Sequence, residues 1–390
     1  MPSNTLTKKH TTPLYEIYKQ ITNYKNNFIK EKVINIKRIK EKMFSNEELT
    51  NIPSFSNYIE TIQQTLLNMD KYLFQCTFTI DERSFHIHLV TTTVDIDFVV
   101  NTFQKIYTLL NILVPFSKEK CSRTLSIYLF MSPAIKLLPS KSSQILDQTN
   151  VNTAFTYACK QDNEIHIFRQ EEWFKVLIHE CFHSFGLDFA SVDSGYSDQF
   201  SRQIFHVNTD FRLYESYCET WATIINCVFH VENEQKSLNI TLFKNELEKC
   251  IKQEIKHSLF QCSKLLYYFG LKYSDFYEEN DTAAFARRNK YKEETPVISY
   301  FFFKTICLFY YPEFIQWCLQ NNTPFLTFLN YTEDMQSKIQ KYASFIQSKS
   351  QDSVFLQQIN KESTTFNKKV KHIHPNEIYD YQNIKMTYYS

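Results

Sequence analysis

The stretch that most constrains this chain is Val176-Leu-Ile-His-Glu-Cys-Phe-His-Ser-Phe-Gly186, which contains the pattern H-E-x-x-H at His179-Glu180-Cys181-Phe182-His183. On a helix, residues four apart share a face, so His179 and His183 can offer two imidazole nitrogens to one metal ion. Glu180 then sits one step round, beside the metal's open position, which is the geometry of a zinc hydrolase. The reading requires a helix here, and the flanking residues supply one. Apolar positions Val176, Leu177, Cys181 and Phe182 recur at helical spacing from Trp173, and Gly186 stands where a left-handed cap ends a helix. Glu171 and Glu172 are expected in its first turn, where negative charge is favoured. A core helix with two buried histidines would have no need of a Glu between them.

Upstream, Glu164–Arg169 alternates polar and apolar as a half-buried strand does. Phe74–Ile80 and Ser84–Val90, joined by the polar turn 81–83, are expected to form a hairpin, with His86 and His88 on its polar, exposed face. A helix over Ile96–Leu113 and strands at 125–131 and 153–157 complete a small sheet that leads into the H-E-x-x-H helix. Beyond Gly186 the periodicity is helical: 210–230, 242–269 closed by Gly270, 297–311 between Pro296 and Pro312, 314–319 and 335–346. The fold class expected is α+β, predominantly helical, with a small mixed sheet before a helical lobe. Four regions follow: a basic helical segment (1–70), the sheet-containing lobe (71–187), the helical lobe (188–346) and a polar, loosely ordered tail (347–390).

Charge and cysteine usage narrow the function classes. The formal net charge is +1, so nothing global points to nucleic acid or an acidic partner. Residues 1–43 hold ten Lys or Arg against three Asp or Glu, and their helical period runs through Leu14, Ile17, Ile21, Phe28, Val33, Ile36 and Ile39. This segment could touch a nucleic acid or a membrane surface, although a solvated helix face is the commoner reason for such a pattern. The ten cysteines form no C-x-x-C pair and several fall in apolar helical patterns, so all are expected to be reduced core thiols of an intracellular, cytoplasmic protein. The first ten residues lack a signal core, and the most apolar run, Val297–Tyr311, is too short to span a bilayer.

A zinc hydrolase needs a third protein ligand and a water. Position 189 is Phe, where a metzincin would carry His, which removes that class. Asp188 or Asp193 in the following loop could serve, and Glu215 and Glu219 lie four apart on one helix face. With Ala222 three beyond, Glu215 and Glu219 resemble the second zinc-site helix of the gluzincin metallopeptidases, although Asp or Asn is more usual at the position of Glu219. The resemblance covers roughly residues 160–230. Tyr214–Ala222 beside His179-Glu180 is also similar to uncharacterised putative metallopeptidases of large nucleocytoplasmic DNA viruses, which would put the protein in host cytoplasm or a virion.

The resemblance implies one zinc ion held by His179, His183 and Glu215, with Glu219 bonding a ligating imidazole or serving as the alternative ligand. It also implies a metalloendopeptidase acting on protein or peptide substrates, in which Glu180 is the general base for water at the zinc. His206, Arg212, Tyr214 and Tyr217 are candidate oxyanion donors, and strand 164–169 is the expected edge for pairing with substrate. Two alternatives stand beside the enzyme. One is a catalytically silent zinc scaffold or virion component, favoured if the 297–311 segment closes the cleft. The other is a binding module carried by residues 1–43.

Overall fold

A computed structural model describes residues 5–30, 37–38, 43–328, 334–372 and 381–389. In chain order it runs α1 (Lys8–Lys30), β1 (Lys37–Arg38), α2 (Asn46–Thr50), α3 (Glu60–Asn68), β2 (Tyr72–Ile80), β3 (Arg83–Thr91), α4 (Ile96–Leu113) and β4 (Thr124–Phe130). Next come α5 (Gln148–Val151), β5 (Ala154–Thr156), β6 (Asp162–Ile167), α6 (Trp173–Ser184), α7 (Tyr196–Ser201) and α8 (Leu213–Glu234). The chain continues as α9 (Ile240–Phe269), α10 (Asp281–Lys290), a π-helical turn (Ile298–Phe303), α11 (Lys304–Phe309), α12 (Tyr311–Asn321), α13 (Met335–Ser350) and α14 (Ser353–Val370). The class is α+β and predominantly helical, with one small mixed sheet. No described helix is long and apolar enough to cross a membrane.

The sheet order is β1-β2-β3-β4-β6-β5, with β3, β4 and β6 parallel and the other pairings antiparallel. Alternation sends Leu125, Ile127 and Leu129 of β4 into the main core and Tyr128 and Phe130 to the opposite face. That second face is covered by Leu49, Phe55, Tyr58, Ile62 and Leu66 of the 44–69 segment. The face expected to be exposed is therefore half-buried. His88, Tyr128, His166 and Phe155 are direct cross-strand partners whose rings stack at centroid distances of 4.6, 4.7 and 4.7 Å. Burial pushes the His88 imidazole down to about 4 and lowers that of His166 against the pull of Glu164, so the ladder disfavours charge.

Several expectations need correction. Strand β6 is interior, lying between β4 and β5, so the outer strand beside α6 is β5. Local alternation reports burial and carries no information on pairing order. Glu171 and Glu172 precede the first turn of α6. Glu172 is 1% exposed with φ of 61°, and its carboxylate accepts from Lys136 Nζ at 2.8 Å. Cys121 and Cys159 are disulfide-bonded, with Cα atoms 4.5 Å apart, and the other eight cysteines are free and buried. The two partners lie in the loops before β4 and before β6, parallel neighbours whose starts lie side by side.

The N-terminal helix begins earlier than its periodicity suggests, at Lys8, and is described as far as Lys30; Lys37–Arg38 is a strand, and Val33, Ile36 and Ile39 lie outside the described residues. Leu14, Ile17, Tyr18 and Ile21 of α1 are buried in the main core, and Thr22 and Lys25 both reach Glu232 of α8. The tail is ordered where it is described. Phe355 and Ile359 anchor α14, while Ile384, Met386 and Thr387 are buried at 0, 5 and 0% exposure. The 297–311 helix divides into the π-helical turn and α11, and Pro312 opens α12.

Candidate metal centre

Helices α6 and α8 pack against one another and bring the motif residues together. Helix α6 starts after Glu172 and ends on Gly186, whose φ of 65° is left-handed and whose amide bonds back to His183 O at 3.1 Å. An added Cβ at Gly186 would stand 2.9 Å from Cys121 Sγ, so the disulfide abuts the helix end. On α6, His179, Glu180 and His183 are all buried, as are Glu215 and Glu219 on α8.

Three donor atoms converge. His179 Nε2 lies 3.0 Å from His183 Nε2, and Glu215 Oε2 lies 3.1 Å from the first and 3.2 Å from the second. A tetrahedral ion at the usual metal–nitrogen distance of about 2.0–2.1 Å would space its ligands about 3.3 Å apart. The triangle matches that spacing to within about 0.3 Å, so these buried side chains can hold a metal ion.

The far ring nitrogens are each held by a carboxylate. His183 Nδ1 bonds Asp188 Oδ2, which Cys218 Sγ also approaches at 3.4 Å. His179 Nδ1 lies 2.9 Å from Glu219 Oε1, an ion-pair distance without hydrogen-bond alignment, and the other oxygen of Glu219 bonds Lys175 Nζ. A carboxylate at Nδ1 places the proton there and turns the Nε2 lone pair toward the shared point.

Electrostatics agree with a cation site. Burial opposes charge on His179, but Glu219 and Glu215 outweigh it and hold the imidazole up at about 9. For His183, burial is likewise overcome by Cys218, Asp188 and Glu215, and the imidazole rises well above its usual range. Burial would raise Glu215, yet His183 and His179 hold it below the ordinary carboxylate range. The same balance with Lys175 and His179 keeps Glu219 ionised. Glu180 differs. Burial raises its carboxyl and the neighbouring Glu215 and Glu219 add to the rise, against the lowering pull of the two imidazoles.

A cavity of about 30 Å³ lies beside the donor triangle, reached by His179 of the three donors and lined further by Glu180, Glu219, Tyr300 and Met386, together with residues 151–154 leading into β5. It has room for a water molecule or two. Tyr300 comes from the π-helical turn, its ring centroid 6.2 Å from that of His179. Burial raises its phenol, and Glu215 and Glu180 raise it further.

Of the four oxyanion candidates, Tyr214 packs its ring 6.0 Å from that of His183, and Arg212 is within electrostatic reach of Glu215. Tyr217 donates to Leu326 O at 2.9 Å inside the core, Arg212 pairs with Asp210, and His206 is exposed. Asp193 accepts from Ser197 N at 3.0 Å, away from the centre, and Asp188 faces the outer nitrogen of His183. Sequence reasoning missed Lys175, Tyr300 and Met386. Lys175 had a signal, standing four residues before His179 on the same helix face. Tyr300 and Met386 arrive from distant segments and had none. No protein-family model, curated protein or solved structure matches the chain.

Proposed function

We propose that the protein is a zinc-dependent metallopeptidase of gluzincin type. The observation that carries the reading is the convergence of His179 Nε2, His183 Nε2 and Glu215 Oε2 beside the buried carboxyl of Glu180. Two imidazoles and one carboxylate are a donor set suited to zinc, which when bound supplies a Lewis acid and an acidified water. Glu180 takes the proton of the attacking water and passes it to the leaving amine, a role suited to a carboxyl whose affinity for protons is raised by burial. Glu219 and Asp188 hold the two imidazoles in register. Tyr300, on the cavity wall beside His179 and Glu180, is the donor best set to bond a developing oxyanion. An extended substrate is expected to pair with β5, the outer strand, because residues 152–154 line the same cavity.

A second reading, a silent zinc scaffold, draws support from the cavity's size, since the space among Glu180, Tyr300 and Met386 beside His179 is only about 30 Å³. A peptide-library digest with zinc-loaded protein, with and without a chelator, separates the two. Chelator-sensitive cleavage supports the peptidase. One tightly held zinc with no cleavage, in protein whose cleft is demonstrably open, favours the scaffold.

A further inference from the structure

Residues 381–389 form a strap that passes the cavity beside the metal centre at Met386 and ends on α8 and α9, where Tyr389 meets Asn226, His230 and Glu254. Its entry is strand-like. Leu137 and Asn383 form an antiparallel bridge, Leu138 N donates to Gln382 O at 2.8 Å, and Ile384 N donates to Lys136 O at 3.0 Å. Further along, the main chain of the strap is held by charged side chains from the body. Lys304 Nζ donates to Met386 O at 2.9 Å, and Glu172 Oε1 accepts from Thr387 N at 2.5 Å. Glu254 accepts from the amides of Tyr388 and Tyr389 at 3.0 and 3.2 Å, and Asn226 Nδ2 donates to Tyr389 O at 2.8 Å.

Lys304, Glu172 and Glu254 are 2, 1 and 0% exposed. Burying charge is expensive unless it is compensated, and a segment needed only to close a core would be met by apolar groups at lower cost. Side chains of the body supply part of the compensation, Lys136 for Glu172 and Ser258 for Lys304, and peptide N–H and C=O groups of the strap, which every polypeptide carries, supply the rest. Met386 is the strap's side chain that lines the cavity beside the metal centre, together with Tyr300. The body therefore presents a groove that recognises an extended main chain and delivers one unbranched apolar side chain to the centre.

We propose that the groove beneath residues 383–389 is the binding site for an extended peptide leading to the metal centre, with the C-terminal segment as its resident occupant. The proposal deepens the peptidase reading and rests on it for the identity of the ligand as substrate. It also accounts for the small cavity, because the space a substrate would use is filled from within.

The test uses the full chain with a specific protease site inserted after His372, folded with zinc and then cut. A labelled synthetic peptide spelling residues 381–390 is added in excess. Saturable uptake of label is expected in the cut protein and at least 30-fold less in the uncut protein. Cut protein washed free of its C-terminal piece is expected to yield zinc to a chelator at least 10-fold faster, and added peptide to restore the slow rate. No uptake by cut, still-folded protein, or an unchanged extraction rate, overturns the proposal. So does loss of the cooperative melt on cutting, since the strap would then be core structure. Hydrolysis is scored separately: uptake without any cleavage of added peptides leaves the groove standing and sinks the peptidase reading.

Discussion

Replacing Glu215 and Glu219 separately distinguishes a ligand from a group that orients a ligand. Glu215 Oε2 stands 3.1 and 3.2 Å from the two Nε2 atoms, so Glu215→Gln removes the one anionic donor of the triangle. Glu219 touches the other side of His179, at 2.9 Å from Nδ1, and also binds Lys175. Removing such an orienting partner typically weakens metal affinity by about 10–100-fold, or about 1.4–2.7 kcal/mol. Glu219→Gln is the better substitution than Ala, because its amide oxygen can still accept from the buried Lys175 ammonium, whereas Ala removes that acceptor as well, and breaking a buried pair costs about 3–5 kcal/mol. Zinc titrations against a competing chelator read the affinities, and melts of the metal-free variants show whether the fold survives. The expected order is a loss well beyond 100-fold for Glu215→Gln and at most about 100-fold for Glu219→Gln. A larger loss in the Glu219 variant would refute the assignment and make Glu219 the ligand.

Glu180→Gln is expected to keep zinc and fold while peptide hydrolysis collapses, since an amide cannot take the water's proton; unchanged turnover would remove Glu180 as the base. Burial pushes the Glu293 carboxyl up to about 7 from an ordinary 4.5, against bonds from Thr209 and Tyr291. A raised carboxyl pKa favours the folded state below the unfolded value and loses that advantage as pH rises through the folded one. Wild type should therefore lose up to about 3 kcal/mol relative to Glu293→Gln between pH 4.5 and 7, and parallel stability–pH curves would contradict this. Ile21→Ala in α1, at a fully buried position, should lower stability by about 2–5 kcal/mol in a denaturant melt; a change below about 0.5 kcal/mol would mean that α1 is an appendage.

Local periodicity made much of this molecule legible. The bounds of α4 at Ile96 and Leu113, the start of α6 at Trp173 and the Gly270 cap of α9 follow from apolar spacing and capping chemistry. The positions of His179, His183, Glu215 and Glu219 could be read because two helices each place residues four apart on one face. What escaped depends on contacts far apart in sequence. That β5 rather than β6 is the outer strand is a matter of pairing order, and the Cys121–Cys159 bond joins residues 38 apart. Residues 381–389 read as polar tail because their partners, Glu172, Glu254 and Lys304, lie over 80 positions away. Their stabilisation is largely through main-chain groups, which leave no mark on composition.

The central claim is that His179, His183 and Glu215 form a zinc site, and metal content tests it most directly. Protein purified without chelator, and its His183→Ala variant, should be assayed for bound metal by elemental mass spectrometry alongside a fold check. The account predicts one zinc per wild-type chain and none in the folded variant. Equal zinc in both, or a folded wild type that takes up no zinc on reconstitution, would contradict it.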